Sequence, residues 1–308
     1  MIGPIRRKDG TAVVLLNLVD DLEYRTYSNV GPAAFRGVSR GEFLVASLLP
    51  VHTADGAWLI SGAMSSYPKS NATEIARAAL QLATDHPELV FRNSEKIKQG
   101  WESMRADRQV FVEFFGGDEL VLPPAEAEYR LNSYYRQQAA AAQPDRARGR
   151  RLLGSDFPGF QLPRALADSD TVGVIYDAVD GLTFYADYGM LRDHFADPAH
   201  AGRRQRRDVL RAYLREDSIS PRPIRRLATA HPDTVDTVFR KLLRKPEFTW
   251  PEHGEALLRR RKPWYYAQEP LPGVSVIGER LGELAAGTGT GRQKFTRSRR
   301  AVRHRDHP

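Results

Sequence analysis

Phe43-Leu-Val-Ala-Ser-Leu-Leu49 and Ala57-Trp-Leu-Ile-Ser61 stand on either side of His52-Thr-Ala-Asp-Gly56. Two apolar, β-prone runs meeting at Asp55-Gly56 read as a hairpin, because Asp and Gly accept the positive φ that a tight turn demands. Upstream, Thr11–Leu18 is β-branched and apolar and Leu22–Tyr27 alternates, while Asn29, Gly31 and Pro32 break the chain before Phe43. This part of the chain predicts a small antiparallel sheet of about three to five strands.

Helices follow. Asn71 is a good N-cap, and Ile75, Ala79, Leu80 and Ala83 form an apolar stripe that stops at His86-Pro87. Pro87 suits the first turn of another helix. Val110–Phe115 (VFVEFF) reads as a strand stopped by Gly116-Gly117, with Leu120–Leu122 as a partner for it. Pro123-Pro124 opens a long helix over Ala125–Ala142. A second hairpin, Val172–Tyr176 with Leu182–Tyr188, turns at Asp177–Gly181. Helices are then predicted at Gly189–Ala196, Arg203–Arg215, Ile224–Ala230, Thr234–Arg244 and Glu252–Arg260, with a late strand at Val274–Ile277 and a short helix at Glu279–Ala286. The expected class is α+β: a small antiparallel sheet followed by helices, then a hairpin with a helix-rich part. The expected divisions are a sheet-led part at 1–142, an Arg/Pro/Gly linker at 143–156, the hairpin and helical part at 157–286, and a disordered basic tail at 287–308.

One short stretch occurs twice. Leu82-Ala-Thr-Asp-His86-Pro-Glu-Leu-Val90 and Leu227-Ala-Thr-Ala-His231-Pro-Asp-Thr-Val235 share six of nine residues. Each predicts a helix ending at a histidine that proline keeps out of helical ψ, then a new helix with an acid in its first turn.

The chain has 308 residues, no cysteine and a net charge of +8. Disulfides, thiolate metal sites and thiol nucleophiles are excluded. Seven cations and one acid lie in 287–308, so the tail carries +6 and the remaining 286 residues only +2. The basic character describes the tail more than the fold. The longest N-terminal apolar run, Val13–Leu16, is too short for a signal-peptide core, and no run reaches the roughly 20 apolar residues of a membrane helix. A soluble cytoplasmic protein without a membrane partner is the expectation.

The strongest binding feature is Arg259-Arg260-Arg261-Lys262-Pro263-Trp264-Tyr265-Tyr266, where cations to pair phosphates adjoin rings to stack bases. With the tail's Arg297, Arg299 and Arg300 it points to non-specific contact with nucleic acid through Arg259, Arg260, Arg261, Lys262, Trp264 and Tyr266. The opposing expectation is that the rings pack inward while the cations sit at a helix C-terminus. Ile224–Leu243 carries a faint helix-turn-helix pattern that would aim Thr234, Thr237 and Arg240 at a groove, but its turn is short and lacks glycine. Asp177, Asp180 and Asp187 offer carboxylates for a cation, although Asp and Gly are equally what a turn requires. No HExxH, G-x-S-x-G or phosphate-loop context occurs, so neither metal nor cofactor is expected. The leading expectation is a non-enzymatic binding protein that touches nucleic acid. The alternatives are a protein–protein interaction module, or an enzyme centred on the hairpin carboxylates. Limited trypsin digestion should cut first beyond Gly287 and next between Arg146 and Arg151; protection of Arg146–Arg151 while helices are cut would remove the linker from this reading.

Overall fold

The computed structural model describes residues 1–52, 56–141, 159–197, 204–274 and 276–286. The α+β expectation holds. The chain divides into two compact units. The first comprises Met1–Leu18 and Tyr24–Ala79 together with the helix Glu279–Ala286, and the second comprises Val19–Glu23 and Leu80–Gly278.

The first unit is built on β1 (Ile2–Asp9), β2 (Ala12–Leu16), β3 (Glu23–Ser28), β4 (Phe43–His52) and β5 (Ala57–Tyr67). They close into a barrel in the order β1-β2-β3-β5-β4, with β4 returning to β1. The sheet is not wholly antiparallel, as β3 and β5 run parallel because the chain reverses twice between them, into β4 and out again. This is the strand order of the OB barrel, the five-stranded Greek key. Strand β1 escapes the sequence reading because Gly3, Pro4 and Arg6-Arg7-Lys8 break its apolar alternation. The glycine is required there: a Cβ at Gly3 would stand 1.7 Å from the Leu16 carbonyl oxygen. Ile5, Val13, Leu15, Leu44 and Ile60 fill the barrel, and Phe35 and Val38 join them from the β3–β4 connection.

The chain passes from the first unit to the second within α1 (Ala72–Asp85); in the second unit α2 (Pro87–Val90) is followed by α3, which runs from Ser94 to Phe115. The expected strand Val110–Phe115 is therefore the last turns of a helix. Its composition favours a strand, but Asn93 caps the helix by accepting from the Glu95 N–H, and Gly116 ends it at φ 80°. Helical spacing places Met104 and Phe111 on one buried face, where Phe111 meets Leu131, Tyr134, Val174 and Tyr176. Strand β6 (Glu119–Leu122) consequently pairs with β7 (Val172–Asp177), Leu120 opposite Val174, and β7 pairs with β8 (Gly181–Ala186). Segments on both sides of 143–156 thus share one sheet, while that expected linker and the tail lie outside the described residues. α4 spans Pro124–Ala141. Gly173 on β7 cannot carry a side chain, since a Cβ would lie 2.6 Å from the Tyr188 ring.

The later helices, Tyr188–Ala196, Arg204–Arg215, Arg222–Ala230, Pro232–Leu243 and Trp250–Arg261, surround a core of Leu191, Phe195, Leu210, Leu227, Phe239 and Leu258. Val274–Ile277 is not a strand among its described residues. The Val274 carbonyl turns onto Gly100 of α3, and Ile277 is half exposed. The repeated His-Pro junctions do match in backbone: His86 has φ −135° and ψ 65°, His231 φ −128° and ψ 60°.

Ion pairs lock this unit where charge enters it. Arg226 donates from Nη2 to Asp118 Oδ1 at 2.5 Å and from Nε to Glu119 Oε2 at 2.6 Å. Arg108 of α3 donates to the other Asp118 oxygen at 2.5 Å and to the Tyr176 carbonyl at 3.1 Å. Burial raises the Asp118 pKa, but the hydrogen bonds from Arg226 and Arg108 outweigh it and hold the carboxyl below its ordinary range. Truncating Phe111, fully buried in α3, to Ala should cost about 3–5 kcal/mol in urea denaturation, whereas exposed Glu113→Ala should change stability by less than about 0.5 kcal/mol. Equal costs would contradict the helical face.

Candidate nucleic-acid interface

The Arg259–Tyr266 segment straddles the end of helix Trp250–Arg261 and the short helix Pro263–Ala267. Its residues do not form one cationic, aromatic surface. Lys262 is fully buried, with its ammonium donating to the Glu216 carbonyl. Burial drives its pKa down, partly countered by Asp217 and Glu216. The Tyr266 hydroxyl accepts from Arg225 at 2.8 Å, and the Arg259 guanidinium covers that ring at 4.6 Å. Arg259 also pairs with Glu255 at 3.3 Å, and Arg225 with the same carboxylate at 2.7 Å. Trp264 is half-buried, with its indole N–H wholly enclosed. Arg260 and Arg261 remain exposed. Packing has divided what the sequence places side by side: consecutive residues at a helix end point in different directions. Arg297, Arg299 and Arg300 lie outside the described residues.

The helix-turn-helix pattern is also absorbed by packing. Val235, Val238 and Phe239 are buried, Thr234 donates to the Phe195 carbonyl, and Arg240 donates to the Phe248 carbonyl while pairing with Asp236. At the second hairpin, Asp177 Oδ1 accepts from the Val179 and Asp180 backbone N–H groups, which is turn chemistry. Asp187 accepts from the Asp170 N–H instead of joining its neighbours. Among the described residues no group of three or more His, Asp or Glu is gathered as for a metal ion. His194 is buried in its helix. Burial, followed by Arg206, Arg207 and Lys241, pushes its imidazole down to about 4, so it is neutral at pH 7.

The barrel offers a surface that residue-by-residue reading missed. On β3, Tyr24 and Thr26 point inward, whereas Arg25 and Tyr27 point outward with the guanidinium 5.1 Å over the Tyr27 ring. Arg25 Nε also donates to Asp9 at 2.7 Å, and this hydrogen bond holds the Asp9 carboxyl below its usual range. Register aligns Tyr27 with Leu59 of β5 and Leu59 with Leu49 of β4, so one outer row carries a tyrosine, a cation beside it and two leucines. Leu49 is 53% exposed and neighbouring Val51 54%. The alternation of Glu23–Ser28 was the available signal. Only barrel closure tells which alternate positions face outward and beside what.

No family model matches the chain, and no curated protein or solved structure is significantly similar to it. Among the described residues no helix is long and apolar enough to cross a membrane.

Buried Lys262 cannot reach a phosphate, while Arg260 and Arg261 can. Lys262→Met should therefore leave the salt dependence of any single-strand binding unchanged, and Arg260→Ala with Arg261→Ala should flatten its log–log slope by about 0.7 per lost contact. A flatter slope for Lys262→Met, measured by fluorescence anisotropy, would contradict the burial.

Proposed function

We propose that this is a non-enzymatic cytoplasmic binding protein that engages single-stranded nucleic acid, with the outer row of the barrel as its contact face. One observation carries the proposal. A closed barrel in OB strand order has Arg25 and Tyr27 facing outward on β3, the strand whose face this architecture uses for oligonucleotides. A ring beside a cation is the chemistry of sequence-tolerant strand binding, and here it requires Arg25 to swing off the Tyr27 ring and exchange Asp9 for a phosphate, so that a base stacks on the ring it leaves. Exposed Arg260 and Arg261, with tail residues Arg297, Arg299 and Arg300, add charge without sequence information. Fold alone does not assign function, so the weight rests on the β3 side chains.

A second reading, an interaction module for another protein, is favoured by one specific feature, the exposed apolar pair Leu49 and Val51 on β4.

Anisotropy titrations with labelled oligo-dT, oligo-rU and a duplex of equal length separate the two. The strand reading expects the single strands to bind at low salt more tightly than duplex, and Tyr27→Ala to weaken them about tenfold, within the roughly 1–3 kcal/mol of a stacked base. Affinity indifferent to Tyr27→Ala, or no binding of any strand at low salt, would overturn it in favour of the protein partner.

A further inference from the structure

Groups of the protein itself already occupy both halves of the β3 contact. The Arg25 guanidinium lies 5.1 Å over the Tyr27 ring, on a face where a base would stack. Its Nε donates to Asp9 Oδ2 at 2.7 Å, so Asp9 stands where a phosphate would. One side chain, Arg25, closes both places at once.

Asp9 is the last residue of β1 and pairs with Ala12 of β2 across a turn in which Gly10 has φ 59°. That conformation favours glycine and sets the path of the turn, so backbone holds the carboxylate in place while Arg25 reaches it on a long, rotatable side chain. The moving part is therefore Arg25. The hydrogen bond and charge of Arg25, helped by Arg7, hold the Asp9 carboxyl below its ordinary range, so it is ionised at pH 7. Barrel closure does not need the pair. Its side chains are 44% and 45% exposed, and pairs so exposed stabilise little, whereas strand register and the apolar core hold the barrel. An acid here also works against affinity for a polyanion.

We infer that Asp9 is a specificity-determining residue of this surface. It keeps Tyr27 covered until a ligand supplies both an anion to take Arg25 and a flat ring to replace it on the tyrosine. The inference rests on the strand-binding reading and confines the ligand to a polynucleotide. A nucleoside brings the ring without the anion. An acidic peptide brings only another carboxylate, which must compete with one already tethered in the same chain. A phosphodiester offers two oxygens to a guanidinium fork that meets Asp9 through Nε, and its base regains a contact with the ring.

The test has two parts. In the free chain, carbon-detected NMR should find the Asp9 carboxyl titrating below the ordinary aspartate range, and Arg25→Gln should return it there. Ordinary titration in the unsubstituted chain would overturn the inference whatever the chain binds. Anisotropy with labelled oligo-dT at low salt then compares the unsubstituted chain, Asp9→Asn, Arg25→Gln and the double variant. Asp9→Asn should tighten binding about two- to fivefold, the size of one exposed ion pair, and should have no such effect beside Arg25→Gln. Equal tightening in both backgrounds would mean that Asp9 acts as general charge, and no tightening in either would mean that Arg25 needs no release. Both results overturn the inference and leave the strand reading standing. A glutamate decamer should not displace oligo-dT from the unsubstituted chain; displacement at equal concentration would contradict the selection. Absence of oligo-dT binding throughout, with Asp9 still titrating low, would remove the strand reading and this inference with it.

Discussion

The pairing of Arg226 with Asp118 and Glu119 is the constraint on which the second unit depends. Asp118 and Glu119 stand where β6 begins, and β6 is the strand that brings α3 and α4 to the sheet of the C-terminal half. Arg226 reaches both carboxylates from a helix more than a hundred residues later, and Tyr188 donates to Glu119 from a third element at 3.2 Å. Charges that are half-buried and answered on several sides fix geometry. Removing one partner leaves the others desolvated and unpaired, which costs more than the pair itself contributes.

The same logic runs along the whole helix Arg222–Ala230. Ile224, Leu227 and Ala228 face the core, so its arginines fall on the remaining surface. Arg222 meets Asp177, Asp180 and Tyr265, Arg225 meets Glu255 and Tyr266, and Arg226 meets Asp118 and Glu119. Arginine suits the task because its planar fork serves two acceptors at once. A basic helix that looks like a polyanion reader is therefore a set of internal clamps. This explains how a chain of net charge +8 can have cations that are unavailable to a partner.

Much of the architecture was legible in the sequence because local signals and tertiary structure agree. The hairpin across Asp177–Gly181, the helix breaks at His86-Pro87 and His231-Pro232, and the long helix after Pro123 all follow from turn and cap chemistry that acts within a few residues. Val110–Phe115 misled because composition was read without the cap at Asn93, well over ten residues earlier, which commits the chain to a helix. Strand β1 was hidden because Gly3 is set by a close approach of Leu16, a contact that no local pattern carries. The site was less legible still. Arg259–Tyr266 is contiguous in sequence, yet Lys262 goes inside, Tyr266 turns to Arg225, and Trp264 turns to a trough formed with β8. Arg25 and Tyr27 become a surface only when β3 is paired with β5.

A double-mutant cycle in urea denaturation, with Arg226→Met, Asp118→Asn and the two together, tests the clamp most directly. The account predicts that each single substitution destabilises the chain. The combined variant should then lose less than their sum, leaving a coupling energy of about 1–3 kcal/mol. Additivity within about 0.5 kcal/mol would mean that Arg226 does not hold β6, and that the arginines of this helix are free to serve a partner.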